Sequence, residues 1–364
     1  MPIIQSAPIS QTFQTGIAVN LLFGAQFMTN MPVGLVVKHD LTKAKKKEIV
    51  TFVQRGVVPT LSDCEVTPTG KTTTVLSTVE ARRYANYEPL DFCESKDSPI
   101  WDEMLAFSAN PSYNLQFVNT QLYTGFMQGF MAQYSIELNA VRWFGDTQLA
   151  ANPSFSHFLT QDGYYTQAVN NPNTRKVATT SLATALTNGQ ALALLTNLNR
   201  ARTVQNRQKR CVLIIGRYLA EKLWDDYVTA NQAALGVQQA YSNELVQGLG
   251  RRFFGMDLYV DELWDIDYLR SISATAVSAD DYGNWDAIAT GKYPKLAMIA
   301  PMAEGENHAI HELDAIAPDT LAMYSEIFAQ KTNGVRKDSL DIYLAAQFGG
   351  EIIRPTDICV AVMA

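Results

Sequence analysis

One stretch, Asn110 to Gly145, limits what this chain can fold into more than any other. Leu115, Val118, Leu122, Phe126, Phe130, Tyr134, Leu138 and Val141 recur at steps of three and four, which puts them on one face of a helix. Asn110 is placed to cap that helix, Pro111 suits its first position, and Gly145 is placed to end it in a left-handed turn. At ~1.5 Å per residue it would run on the order of 50 Å, a spine rather than a local element. Its only charges are Glu137 and Arg142, so the face opposite the apolar stripe is uncharged and polar, better suited to neighbouring protein than to open water. Gly125 and Gly129 each cost about 1 kcal/mol against Ala in a helix and lie on one side, where another backbone could approach closely. Thr124, Gln128 and Gln133 interrupt the apolar run, which argues against a membrane span.

The low charge extends to the whole chain. Of 364 residues, 18% are charged and 47% hydrophobic, against about 25% charged in ordinary soluble domains. So little charge coats a monomer poorly, which favours a surface covered by copies of the same chain. A net charge of −7 argues against a dedicated nucleic-acid binder. Cys64, Cys93, Cys211 and Cys359 have neither zinc nor disulfide spacing, consistent with synthesis in a reducing cytoplasm, and the N-terminus lacks the pattern of a signal peptide.

Met1 to Val37 carries no charge and fits either an extended arm lying across other subunits or a strand of the chain's own sheet. Lys43, Lys45, Lys46 and Lys47 read as a solvated helix turn rather than a phosphate site. Gly56 to Tyr87 reads as a β hairpin, with Thr72 to Val79 as a strand and Pro68 to Gly70 as a turn; Gly70-Lys71-Thr72 lacks the earlier glycine of a phosphate loop. A short helix from Ser98 precedes the spine, and a loop-rich stretch follows it as far as Gly163. Helices over Thr187 to Thr203 and Tyr218 to Tyr227, with strands at Cys211 to Ile215, Phe254 to Val260 and Leu296 to Ala300, form an α/β section of their own. Leu340 to Phe348 alternates as a strand, turns at Gly349-Gly350 and resumes at Ile352-Ile353. Ile358 to Met363 is continuously apolar, as a strand covered on both faces would be.

Catalytic patterns are missing. There is no G-x-S-x-G elbow and no dinucleotide glycine fingerprint, and the adjacent acids Asp225-Asp226 and Asp280-Asp281 do not form an acid–base pair of the kind that converges from separate elements. The acidic loop Asp280 to Asp286 lacks ordered calcium-ligand spacing. His308 and His311, beside Glu304, Glu306 and Glu312, could share one helical turn as metal ligands, but a third ligand is unspecified and a surface turn is the alternative. No catalytic, cofactor or metal residue is therefore expected.

The order of arm, hairpin, long charge-poor helix, α/β section and terminal strands resembles the major capsid proteins of tailed bacteriophages, the Hong-Kong-97-type fold. The pieces that carry the resemblance are Phe144-Gly145-Asp146, Asp162-Gly163-Tyr164-Tyr165, Gly255 to Val260, and Phe348 to Pro355. It implies an α+β chain with an N-terminal arm over 1–50, an extended hairpin loop over 51–97, a peripheral domain with the spine over 98–170, an axial domain over 171–335, and a return to peripheral strands over 336–364. It further implies a non-enzymatic protein that forms hexamers and pentamers of itself. These would close an icosahedral shell around double-stranded DNA with the help of scaffolding, portal and decoration proteins, without a membrane. Assembly would take place in the bacterial cytoplasm and the product would be a virion. An encapsulin-like shell around cargo protein shares the fold, and a cytoplasmic metal enzyme using His308 and His311 is the reading from another class.

Overall fold

The computed structural model describes residues 32, 34–40, 46–54, 72–91, 134, 136–149, 153–235, 252–272, 291–302, 308–314, 322–332 and 335–363. Most of the spine stretch, with Gly125 and Gly129, lies outside these residues, as do the Pro68–Gly70 turn, the Ser98 helix, the Asp280–Asp286 loop, Cys64 and Cys93.

Two sheets organise the described chain. The first has six strands: β5 (Arg175–Thr179), β6 (Cys211–Gly216), β7 (Arg252–Phe253), β8 (Met256–Asp261), β9 (Ala297–Pro301) and β13 (Cys359–Met363), in the spatial order β5-β13-β9-β6-β8-β7. Strand β6 is wholly buried because the sheet is covered on both faces. Leu213, Ile215, Ile299 and Ala361 face helices α2 (Gln190–Ala201) and α4 (Arg217–Leu235), through Leu194, Leu195, Leu198, Leu219 and Leu223. Val212, Ile214, Met298 and Val360 face the other way, towards Trp143, Phe144, Tyr164 and Trp264. Those side chains come from the end of the spine, from α1 (Tyr164–Asn170) and from α5 (Trp264–Ile272). The short α3 (Val204–Gln208) leads into β6, and Thr203 caps it by accepting the Asn206 N–H.

The second sheet has five strands: β1 (Val37–Asp40), β4 (Arg82–Asp91), β10 (Ile310–Asp314), β11 (Ala322–Thr332) and β12 (Val335–Ile352). Strand β12 bonds β10 through Phe348–Ile352 and lies between β11 and β4 over much of its length, while β1 adds to β10 in parallel. A separate hairpin, β2 (Lys46–Gln54) with β3 (Thr72–Glu80), is registered from Lys46↔Glu80 to Gln54↔Thr72. Its base is seated on the five-stranded sheet by Ile49 and Val79, which cluster with Ala81, Leu313 and Ile353.

Several expectations change. Lys46 and Lys47 open strand β2 rather than a helix turn, since pairing with β3 and the inward alternation of Ile49 outweigh the local lysine run. Gly145 does end the helix, which spans residues 134 and 136–144 among those described, but its φ is not left-handed. Glycine is required there because the helix end lies against the next loop: a Cβ would sit 2.8 Å from the Val141 carbonyl and collide with that of Gln161. Gly349-Gly350 is no turn. Strand β12 runs straight through it, and the glycines are clearances for Glu80 on one face and Tyr164 on the other. Phe254 and Gly255 do form a turn, with φ of 49° and 79°, so the strand expected from Phe254 begins at Met256. Residues 336–364, expected to return as one unit, divide between sheets: β12 joins the five-stranded sheet and β13 the six-stranded one.

Candidate functional site

The spine ends in a polar junction buried between the two sheets. Arg142 donates to Glu312 Oε1 of β10 at 3.0 Å, with the two side chains 4% and 0% exposed. Tyr164, at the start of α1, donates its hydroxyl to the other carboxylate oxygen of Glu312 at 2.6 Å, and the Arg142 guanidinium lies 5.3 Å from the centre of the Phe348 ring. Glu312 therefore has a partner on each oxygen, as a buried charge requires. Gln167, one turn along α1, holds the edge of β12 with both ends of its amide: it donates to the Gly350 carbonyl at 2.9 Å and accepts from the Ile352 N–H at 2.9 Å. Tyr165 donates to the Ala361 carbonyl of β13 at 2.6 Å, so the single helix α1 touches both sheets.

Earlier turns of the spine are fixed in the same way. Tyr134 donates to the Tyr84 carbonyl of β4 at 2.9 Å. Glu137 lies 3.4 Å from Arg270 of α5 and 3.0 Å from His157. Around Arg270 the acids are short of countercharge. Burial pushes the Asp267 carboxyl well above the usual range, against the opposing pull of Arg270. Burial likewise raises Asp261 to about 6 and Asp265 to about 7, even though Asp265 accepts the Tyr218 N–H at 2.6 Å and Asp261 accepts that of Leu263 at 3.0 Å. The Cys211 and Cys359 thiols are free and buried; burial raises the first and pushes the second up to about 12, so neither is a poised nucleophile.

His308 and His311 do not share a helical turn. His311 is on β10, His308 precedes it, both are buried rather than on a surface turn, and their ring centres are 6.5 Å apart. His308 donates through Nε2 to the Leu35 carbonyl at 2.6 Å, whereas His311 Nδ1 lies 2.8 Å from Nε2 of His39 on β1. Among the described residues no group of three or more His, Cys, Asp or Glu side chains is placed to hold a metal ion. An open cleft of about 170 Å³ between Phe144, Tyr165, Tyr268 and Met363 also has Asp146, Asn170 and Ser271 in its lining, and the Ser271 hydroxyl donates to the Tyr268 carbonyl rather than to a base. The arrangement is suited to holding elements in fixed relation. Outside it, Val50 and Leu76, directly opposed on the hairpin, are 48% and 59% exposed.

The solved structures similar to this chain are mostly capsids of tailed phages. The capsid of Myoviridae phage XM1 is 10% identical with a TM-score of 0.47, over 94% of this chain and 92% of that one. The capsid of cyanophage P-SCSP1u is 9% identical with a TM-score of 0.44, over 100% of this chain and 90% of that one. A virus-like particle from Pyrococcus furiosus is 8% identical with a TM-score of 0.44, over 94% of this chain and 96% of that one. No family model and no curated protein matches the chain.

Of the junction, the sequence marked only Arg142 and Glu137, as the lone charges of an apolar helix. Glu312 was noted there only as a neighbour of the two histidines, and Tyr164 only within a resembling segment. Gln167 and His39 carried no signal, since each acquires its role from a strand distant in sequence.

Proposed function

We propose that this protein is a major capsid protein of the tailed-phage type, assembling through hexamers and pentamers into an icosahedral shell around double-stranded DNA. The observation that carries the reading is the junction itself. It locks the helix that ends at Phe144 to a β sheet with a seated hairpin on one side and to a separate α/β sheet on the other. Such a body fixes the relative positions of surfaces instead of creating a reaction centre, and the opposed Val50 and Leu76 give the hairpin an apolar face for a neighbouring subunit. On this reading the six-stranded sheet and its helices are the axial domain, and the five-stranded sheet with the spine is the peripheral domain. Scaffolding, portal and decoration proteins would be further partners, and the virion the final location after assembly in the host cytoplasm. No helix among the described residues is long and apolar enough to cross a membrane.

Sedimentation and electron microscopy of the expressed protein, with and without a scaffolding protein, test the proposal. Rings of five or six, or closed shells, are expected. A compact monomer at high micromolar concentration under both conditions would overturn it. Shells that purify with protein cargo in place of DNA would assign the fold to an encapsulin-like container instead.

A further inference from the structure

The six-stranded sheet has one strongly basic end. Residues 200–210 hold five cations and no acid, Arg200, Arg202, Arg207, Lys209 and Arg210, in a chain whose 36 acids outnumber its 29 Lys and Arg. They lie between the last turn of α2 and the first residue of β6. Strands β6 and β8 run parallel, and β6 and β13 both run antiparallel to β9, so β6, β8 and β13 begin at the same end. That brings in two further arginines. Arg252 lies 3.6 Å from Asp257 of β8, which Arg210 contacts at 2.7 Å. Arg354, ahead of β13, lies 3.4 Å from Asp357, which Lys209 contacts at 3.2 Å. Among the described residues, Asp257 and Asp357 are the only carboxylates ion-paired with these cations. Glu304 and Glu306, which follow β9 and lie outside the described residues, would leave the cations in excess even if both stood at this end.

The basic surface is fixed from within. Buried Arg202 donates to the Asn206 carbonyl, to Asn199 Oδ1 at 3.1 Å and to Cys211 Sγ at 3.2 Å, which pins the 200–210 connection to the sheet. Arg207 closes the connection by donating to the Arg200 carbonyl at 2.6 Å. Arg200, Arg207, Arg210 and Arg252 are exposed, on backbone already held in place. Two large apolar side chains are exposed at the same end. Val204, the first residue of α3, is 73% exposed, and Phe254, in the turn between β7 and β8, is 50% exposed with a φ of 49°. Strained backbone of this kind clusters at functional sites, and here it presents an aromatic ring to solvent where glycine would fit without strain.

We propose that this end of the sheet is a docking surface for a short acidic polypeptide segment that also carries apolar side chains. Arginine forks match carboxylates, while Val204 and Phe254 supply apolar anchors beside them. Nucleic acid fits the surface less well: Val204 offers nothing to a phosphate, and the net charge of −7 repels a polyanion long enough to reach beyond the patch. The surface belongs to a single subunit and does not depend on the capsid reading.

Binding of a labelled random copolymer of glutamate and tyrosine to the purified full chain, beside polyglutamate and a DNA duplex of matched charge, tests it. The copolymer should bind more tightly than either competitor and should weaken as salt is added. Arg200→Glu should weaken it at least about fivefold. Lys222→Glu makes the same charge change on α4, which leaves the sheet at its opposite end, and should bind as the wild type does. Phe254→Gly should also lose about fivefold in affinity, yet keep or raise the unfolding midpoint, because glycine accepts the positive φ. No binding of the copolymer, an equal loss in Lys222→Glu, or wild-type affinity in Phe254→Gly would each overturn the proposal. Tighter binding of the duplex than of the copolymer would overturn it in favour of a nucleic-acid surface.

Discussion

Glu312 and Gly350 show how much single residues of the junction are asked to do. Glu312 is fully buried with Arg142 and Tyr164 on its two oxygens. Replacing it with Gln keeps the volume but removes the countercharge it gives to buried Arg142, a loss of a kind that typically costs about 3–5 kcal/mol. Urea denaturation of Glu312→Gln should show a loss of that order with an unchanged slope. At Gly350 the conflict is one of space, because a Cβ there collides with the Tyr164 ring. Gly350→Ala should lose about 1–3 kcal/mol from overpacking. In a Tyr164→Ala background the same substitution should be nearly neutral; a full-size loss there would mean that the strand backbone, not the ring, makes the demand.

Among the elements, α5 has an unusual electrostatic position: Asp265 and Asp267 in its first turn are buried, and Asp261 precedes it. Acids in the first turn favour the helix dipole, yet burial dominates and raises all three. A carboxyl held near 7 in the fold and near 4 in the unfolded chain keeps its proton only when folded across that window. Its contribution to stability is therefore present below about pH 4 and lost as pH rises to about 7. Asp265→Asn should gain stability over the wild type progressively from pH 4 to pH 8, by about 1.4 kcal/mol for each pKa unit realised. A variant-minus-wild-type difference that is flat with pH would show that Asp265 is ionised throughout. His308 and His311 act in the opposite sense. Burial lowers both, so the unfolded chain takes up protons first and stability falls as pH drops from about 6.5 towards the folded value, about 4 for His311.

At the scale of the whole molecule, charge is scarce: 18% of residues carry it, and none before Lys38. The uncharged N-terminus leads into Leu35 and β1, which the sheet holds through His308 and the parallel pairing with β10. Under the capsid reading, deletion of Met1 to Gln26 should leave this anchor and the capsomer intact but impair shell closure, because apolar groups that cover other subunits are lost. Electron microscopy of the truncated protein would show capsomers without closed shells. Normal shells would remove the arm from the assembly argument, and failure to fold would make it a strand of its own domain.

Local pattern was sufficient wherever an element's environment is uniform along its length. The β6 and β13 runs are apolar on both faces because helices cover both faces of their sheet, and the Thr- and Val-rich run Thr72 to Val79 is strand β3. Helices α2 and α4 follow from the spacing of Leu194, Leu195 and Leu198 and of Leu219 and Leu223. The sequence by itself therefore determined an α+β chain with a helix-covered sheet, a hairpin and a helix that stops at Gly145. Only the tertiary structure decided that β12 passes through two glycines, that β12 and β13 part into different sheets, and that Glu312 meets Arg142 and His311 meets His39. The physical reason is that clearance, counterion and hydrogen-bond partner are supplied by residues as many as 272 positions away, and no window along the chain contains both members of such a pair.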